Sequence, residues 1–300
     1  MPVARIAGEL VYGKHSVRAV FLRRPADVRR LILGGKPAYH QDLVAAARRA
    51  GVEPEFAEWP AFRRLTGLTD DDKHQGVCVF AAPRRVFAEH ELDRVADGRL
   101  VIALDQISDP QNLGAVLRSA AFFGADAVLL LKNRSAELTP KVARIAVGGA
   151  EFVDVFRVIN LARSLDRLRE FGYWVYGLDE RGERTLRETE FDPQAVLVVG
   201  AEGQGLRQRT RTKCDALVRI PGGREGVESL NAAVATAVAL AEMASSAAAP
   251  LAGPQERRPW ERRGARGLGE GAGAATVRAD SAAQGVARRS AAEGSSRHEE

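Results

Sequence analysis

Ala195-Val-Leu-Val-Val-Gly-Ala-Glu-Gly-Gln-Gly205 is the stretch on which the fold of this chain turns, because an unbroken apolar run ends there in a glycine-rich turn. Apolar, largely β-branched residues with no polar alternation suit a strand buried on both faces, as in a parallel sheet. A turn at the carboxyl end of such a strand lies where open α/β sheets bind their ligands. Two readings of the turn stand side by side. A phosphate cradle offers backbone N–H groups to an anion and commonly reads GxGxxG. Here the order is GxxGxG with Glu202 inside it, and a carboxylate beside a phosphate repels it. The other reading is a tight turn, with glycine required where φ is positive or the backbone is crowded.

Apolar runs of the same kind recur on either side. Leu100–Leu104, Ala127–Leu131, Trp174–Tyr176, Val196–Val199 and Leu217–Ile220 are separated by helical stretches, which predicts a mostly parallel sheet covered on both faces from residue 99 to 246. Before it, residues 1–82 predict a small α/β module, with a helix over 16–21, a strand over 28–33, a helix over 42–50 and a strand over 76–81 stopped by Pro83. Its arginines and lysines, among them Arg23, Arg24, Arg63 and Arg64, suit either the tracking of a phosphate backbone or ordinary solvated helix faces. Residues 83–98 are polar and read as a linker. Residues 247–300 are dominated by Gly, Ala, Arg, Glu and Ser, and predict a disordered tail.

Composition narrows the function classes. A chain of 300 residues at 45% hydrophobic content can bury a sizeable core. No stretch approaches the roughly 20 apolar residues of a membrane span, and the first residues lack a signal-peptide pattern, so a soluble cytoplasmic protein is expected. Cys78 and Cys214 stand far apart and the five histidines show no ligand spacing, so neither a disulfide framework nor a metal site is expected. The formal charge of +5 permits a polyanionic partner without establishing one.

Two further stretches carry chemistry. In Leu104-Asp-Gln-Ile-Ser-Asp-Pro-Gln-Asn-Leu-Gly-Ala-Val-Leu-Arg118, Asp109 before Pro110 marks a helix start, and Gly124 a stop. Arg118 is the only charge on that helix, and Gly114 one turn earlier leaves room for a close neighbour. In the segment from Arg219 to Glu242, a strand ends at Ile220-Pro221, a glycine-rich loop follows, and Ser229 reads as the cap of a long alanine-rich helix. Taken singly, a solvent-facing arginine, a tight turn and a helix cap explain them. Their coincidence in this order needs another explanation.

The trio NxGxxxR (Asn112, Gly114, Arg118), GxEGxG (Gly200, Glu202, Gly203, Gly205) and IP followed by SLN (Ile220, Pro221, Ser229, Leu230, Asn231) resembles the three motifs of the SpoU (TrmH-type) RNA ribose 2′-O-methyltransferases. Val11–Val20 and His74-Gln-Gly76 resemble that family's small N-terminal RNA-binding domain, and the likeness runs over about residues 9–246. It fits best the subgroup that methylates a guanosine of 23S ribosomal RNA. The resemblance implies a C-terminal knotted (trefoil) α/β methyltransferase domain, a homodimer, and an RNA rather than a DNA partner. It also implies S-adenosyl-L-methionine as cofactor, held at Gly200, Gly203, Ile220 and Leu230. Arg118 is then the principal catalytic residue, either as general base, which demands a severe fall in its pKa, or as a cation holding phosphate and the developing alkoxide, the role favoured by its lasting charge, with Asn112, Ser229 and Asn231 as polar positioners and Glu202 orienting polar or cationic neighbours. The loop Gly222–Gly226 is one residue longer than the family's usual form and lacks its methionine after the proline. A sulfonium cofactor carries no phosphate, which makes Glu202 tolerable in the turn. A transfer-RNA guanosine and a resistance-conferring ribosomal adenosine are alternative substrates. A catalytically silent RNA-binding or ribosome-assembly protein is the non-enzymatic alternative, and the intact Arg118 and GAEGQG weigh against it.

Overall fold

The computed structural model of the chain describes residues 8–223 and 229–246. A four-stranded sheet comes first in the chain. It is built from β1 (Glu9–Tyr12), α1 (Lys14–Arg23), β2 (Val28–Gly34), α2 (Gln41–Arg49), β3 (Glu55–Ala57), α3 (Trp59–Thr66) and β4 (Val77–Ala81). The strand order is β1-β4-β2-β3, with β4 antiparallel to both its neighbours and β3 parallel to β2. Strand alternation sorts its apolar residues: Leu31 and Leu33 join Val17, Val20 and Leu43 on one face, while Ile32 joins Phe62 and Phe80 on the other.

The second sheet carries the apolar runs. Its elements are β5 (Phe87–Ala88), β6 (Leu100–Asp105), α4 (Pro110–Phe122), β7 (Ala127–Leu131), α5 (Pro140–Ile145), β8 (Asp154–Val158), α6 (Leu161–Glu170), β9 (Trp174–Leu178), β10 (Arg184–Thr185), β11 (Ala195–Gly200), α7 (Gln208–Arg211), β12 (Ala216–Arg219) and α8 (Ala232–Ser246). The order is β10-β12-β9-β11-β6-β7-β8-β5, and every neighbouring pair is parallel. Leu100, Ile102, Leu104, Leu197 and Val199 pack under α4, α5 and α8, whereas Val101, Ala103, Val196 and Val198 pack under α6. Burial on both faces is what the continuous apolar runs require. The helix expected after Asp109 is α4, whose first turn is capped by that carboxylate accepting from the Gln111 N–H at 3.0 Å.

The stretch 83–98, expected as a linker, is part of this sheet. Phe87–Ala88 pairs with Phe156–Arg157 as the edge strand, and Leu92 and Val95 in the 3-10 turns that follow are buried against the α6 face. Its polar appearance arises because single apolar residues alternate there with exposed charges. The first helix is longer than residues 16–21, and β1, β3, β8, β10 and α3 have no counterpart among the expected elements; these are short segments or, in β8, an apolar run broken by Arg157. The tail 247–300 and residues 224–226 of the glycine-rich loop lie outside the described residues.

The two sheets meet at the turn after α5. Ser16 Oγ donates to the Ala143 carbonyl at 3.1 Å, and a Cβ at Gly148 (φ 89°) would stand 2.7 Å from the Ala19 Cβ. Beside this contact Arg24 and Arg84 each pair with both Glu9 and Glu151, at 2.8 to 3.0 Å, and all four side chains are largely buried. Removing one partner of a buried ion pair costs roughly 3–5 kcal/mol, because the remaining charge is left unpaired. Glu151→Ala leaves Arg84 on Glu9 alone and Arg24 on Glu9 and the more exposed Asp27, and is expected to lower the urea midpoint and to speed proteolysis within residues 82–90. An unchanged midpoint and cleavage rate would show that the cluster does not hold the two sheets together.

Candidate active site

The turn after β11 is tight for two separate reasons. The Gly205 N–H donates to the Ala201 carbonyl at 2.8 Å, folding the turn back over the strand end, so a Cβ at Gly200 would overlap the Gly205 carbonyl group. Gly203 (φ 77°) and Gly205 (φ 63°) are left-handed, yet a Cβ at either meets nothing within 4 Å. Backbone crowding therefore demands glycine at position 200 and conformation demands it at 203. The side of the turn at Gly203 is open.

Asp105 ends β6 and lies in register with Gly200. Its carboxylate is fully buried and accepts from the Arg207 backbone N–H at 3.1 Å and from Arg207 Nε at 2.7 Å. The strand before the first motif thus grips the chain as it leaves the second. Gln106, the next residue, holds φ at 67°, a conformation costly outside glycine and typical of sites where surrounding structure imposes it. Neither Asp105 nor Arg207 was singled out from the sequence. The available signal was an acid closing a wholly apolar strand, a position where a charge is seldom buried unless paired.

A second side-chain contact joins the first motif to the third. Asn231 Nδ2 donates to the buried Asn112 Oδ1 at 2.7 Å, while Asn231 Oδ1 accepts from the Ala233 and Val234 N–H groups at 2.9 and 3.3 Å. Asn231, not Ser229, is therefore the cap of α8, because its short amide reaches the free N–H groups of the first turn from the position just before Ala232. Ser229 is exposed two residues earlier.

Arg118 is exposed on α4 and has no hydrogen-bond or ionic partner among the described residues. Its backbone is closely held. A Cβ at Gly149 would stand 2.9 Å from the Arg118 Cα, and one at Gly114 would stand 2.5 Å from Ile145 Cγ2, so both glycines allow neighbours to press against α4. The close neighbour expected at Gly114 is α5. Glu202 is exposed and likewise unpartnered among the described residues. Ile220 is half-buried and Leu230 is 46% exposed.

Other chemistries find little support. Burial pushes the Cys214 thiol up to about 12 and raises Cys78 as well, which keeps both from acting as thiolates. Among the described residues no cluster of His, Cys, Asp or Glu has the makings of a metal site, and no helix is long and apolar enough to cross a membrane.

The two glycines of the turn separate crowding from conformation. Gly203→Ala should cost about 1–3 kcal/mol, as expected of a non-glycine residue held in the left-handed region. Gly200→Ala should lower the melting temperature further, because its Cβ has no place without displacing the turn. Equal losses in the two variants would contradict the crowding at Gly200.

Sequence and structure comparisons agree with this arrangement. Residues 99–241 match the SpoU rRNA Methylase family, and residues 10–87 match the RNA 2′-O ribose methyltransferase substrate-binding family. The 23S rRNA (guanosine-2′-O-)-methyltransferase RlmB of Pseudomonas syringae pv. tomato is 39% identical over 240 residues, covering 78% of this chain and 94% of that protein. The enzyme of the same name from Escherichia coli K12 is 36% identical over 239 residues, 78% of this chain and 97% of that one. Among solved structures, the SpoU methyltransferase AviRb from Streptomyces viridochromogenes superposes with a TM-score of 0.63 at 25% identity, covering 78% of this chain and 88% of that chain. The complex of AviRb with its cofactor AdoMet superposes with a TM-score of 0.62 at 24% identity, over the same shares of the two chains.

Proposed function

The chain belongs to the SpoU rRNA methylase family, and on that premise we propose that it transfers a methyl group from S-adenosylmethionine to the ribose 2′-hydroxyl of a guanosine in 23S ribosomal RNA. One observation carries the proposal. The three motifs converge at the carboxyl ends of β6 and β11 through Asp105–Arg207 and Asn112–Asn231, leaving the Arg118 guanidinium without a partner among the described residues.

The residues present suit the cofactor. Gly203 has open space beside it, and the half-buried Ile220 and exposed Leu230 offer apolar contact. Arg207, two residues beyond the turn, is paired with the buried Asp105, which offsets its charge toward a sulfonium. Gly200, Gly203, Ile220 and Leu230 are the residues that would hold S-adenosylmethionine, which when bound supplies an activated methyl group. Asn112 and Asn231 fix each other and the start of α8, and Ser229 stands exposed just before them. Glu202 presents a carboxylate at the turn surface. A guanidinium is a donor and not a proton acceptor, so Arg118 acts by gripping a phosphate and stabilising charge that develops on the 2′-oxygen. Holding that oxygen in line with the methyl group contributes up to roughly 7–11 kcal/mol.

The domain plan follows from the same premise. Residues 1–82 bind RNA and 99–246 carry out the transfer, with 83–98 adding the edge strand of the large sheet between them. A trefoil knot accounts for the placement of β12 between β9 and β10, inside the connection that links those two strands. A Cβ at Gly182 in that connection would stand 2.7 Å from Val218, so the loop closes tightly around the strand. A homodimer accounts for apolar surface on the helices of the site: Phe122 on α4 is 79% exposed and Val234 on α8 is 50% exposed. A ribosomal substrate places the work in the cytoplasm.

Arg118→Ala is expected to lower methyl transfer to unmodified 23S rRNA by about 10²–10³, the loss typical of one stabilising donor, with S-adenosylmethionine affinity by calorimetry unchanged. Arg118→Lys should fail nearly as badly, because a point charge does not replace a planar fork. Turnover close to that of the parent in the alanine variant would remove Arg118 from the mechanism.

A further inference from the structure

A cavity of about 330 Å³ opens on the four-stranded module, away from the motifs, lined by Trp59, Arg63, Asp70, Lys73, His74 and Gln75 together with Gly76. We propose that it is a subsite for one unpaired RNA base, stacked on Trp59, with Lys73 taking the adjoining phosphate. The RNA class of the ligand rests on the function proposed above. The location and the residues rest on the geometry that follows.

Trp59 opens α3 and is 43% exposed, an unusual cost for the largest apolar side chain unless something covers it. Its ring is seated on a floor of glycine. A Cβ at Gly34 would come 2.8 Å from Trp59 Cζ3, and one at Gly76 would come 3.1 Å from Cη2. Phe62 meets it edge-on, at 5.9 Å between centroids and 73° between planes. The indole is therefore fixed in place with a face left open. A platform already ordered loses little freedom when a base stacks on it.

The wall of the cavity is held with equal care. His74 is buried, with its ring centroid 4.8 Å from that of Phe62, and its Nδ1 accepts the Gly76 N–H at 2.9 Å. That bond puts the ring proton on Nε2, which has no partner among the described residues. Burial holds the His74 pKa below its ordinary value, with Asp70 and Asp72 pulling the other way and Arg63 adding to the fall, so the ring stays a neutral donor. Lys73, Gln75 and Gly76 all have positive φ, at 50°, 56° and 68°. Such a loop persists only where its surroundings impose it, and such loops gather at ligand sites. Part of that imposition comes from α5: Arg144 donates to the Lys73 carbonyl from Nε at 3.2 Å and from a terminal nitrogen at 3.1 Å.

At the rim one cation is uncommitted while the neighbouring carboxylates are engaged. Asp70 is taken by Arg63 at 2.8 Å, and Asp72 accepts the Thr69 N–H at 2.7 Å. Asp71 does not line the cavity. Lys73 is exposed and free of any ionic partner among the described residues, and so is Arg64 on the same helix as Trp59. An open aromatic face, a neutral donor and an uncommitted cation are the elements by which proteins take splayed-out RNA bases.

The test uses the full-length protein, a protein-free 23S rRNA transcript and filter binding, with melting temperature and S-adenosylmethionine affinity as controls. Trp59→Ala should weaken transcript binding about tenfold, within the range for losing one stacked base, and Trp59→Phe should keep most of the affinity. Lys73→Glu should weaken binding and flatten its salt dependence, as loss of one phosphate contact requires. Both effects should leave the two controls unmoved. Parental affinity in folded Trp59→Ala and Lys73→Glu proteins would overturn the proposal, and if Trp59→Ala fails to fold, Lys73→Glu with Trp59→Phe decides. A parent protein that binds the transcript without methylating it sinks the proposed reaction and spares this subsite. A methylating parent whose variants bind equally well sinks the subsite alone.

Discussion

A single buried carboxylate organises the site. Asp105 sits at the end of β6, a central strand of the large sheet, fully out of water, and it is tolerable there because Arg207 meets it through both backbone and side chain. The pair fixes where the chain goes after the glycine turn. From Arg207 the backbone passes through α7 to β12, lodges between β9 and β10, and returns as α8 against the helix that began just beyond Asp105. That grip adds to the Ala201–Gly205 hydrogen bond and the buried Leu206 side chain in holding the turn over the strand end.

The same region holds its backbone tightly and leaves its functional side chains free. Gly114 and Gly149 bring α5 and the following turn hard against α4, and Asn112 and Asn231 lock the starts of α4 and α8 together. Arg118, Glu202 and Ser229 by contrast point to no partner among the described residues. In the proposed reaction, a cation that meets a phosphate and a developing negative charge serves best when it is not already spent on an internal carboxylate. Arg118 takes part in none of the salt bridges among the described residues, so its guanidinium is available to an outside anion.

The turn after α5 connects this site to the four-stranded module. Val147 has φ 52°, costly for a β-branched residue, and Gly148 follows at 89°. On one side Gly149 presses against Arg118, and on the other Gly148 receives α1, with Glu151 closing the buried ion cluster. Arg144 in the same helix-and-turn segment supports the strained loop at Lys73. One short segment thus supports both α4 and the four-stranded module, which in the proposed reaction would give RNA and the reacting group a common reference.

Much of this was legible in the sequence. Apolar runs such as Ala195–Val199 specified a parallel sheet buried on both faces, because period and composition are local properties of a strand. Asp109-Pro110 marked the start of α4 for the same kind of reason, and motif spacing marked Asn112, Arg118, Gly200 and Asn231. What the sequence left open depends on contacts between distant positions. The stretch 83–98 reads as polar, and only pairing of Phe87 with Phe156 makes it an edge strand. Ser229 and Asn231 are both good caps by type, and the choice fell to Asn231 because Asn112 lies within reach of its amide. The need for glycine at 200 comes from Gly205 folding over it, and the tolerance of a buried Asp105 comes from Arg207, a residue a hundred positions away. Residue type sets what each group can do, but burial and partnership are set by where the chain returns, and that is decided only when the whole sheet has assembled.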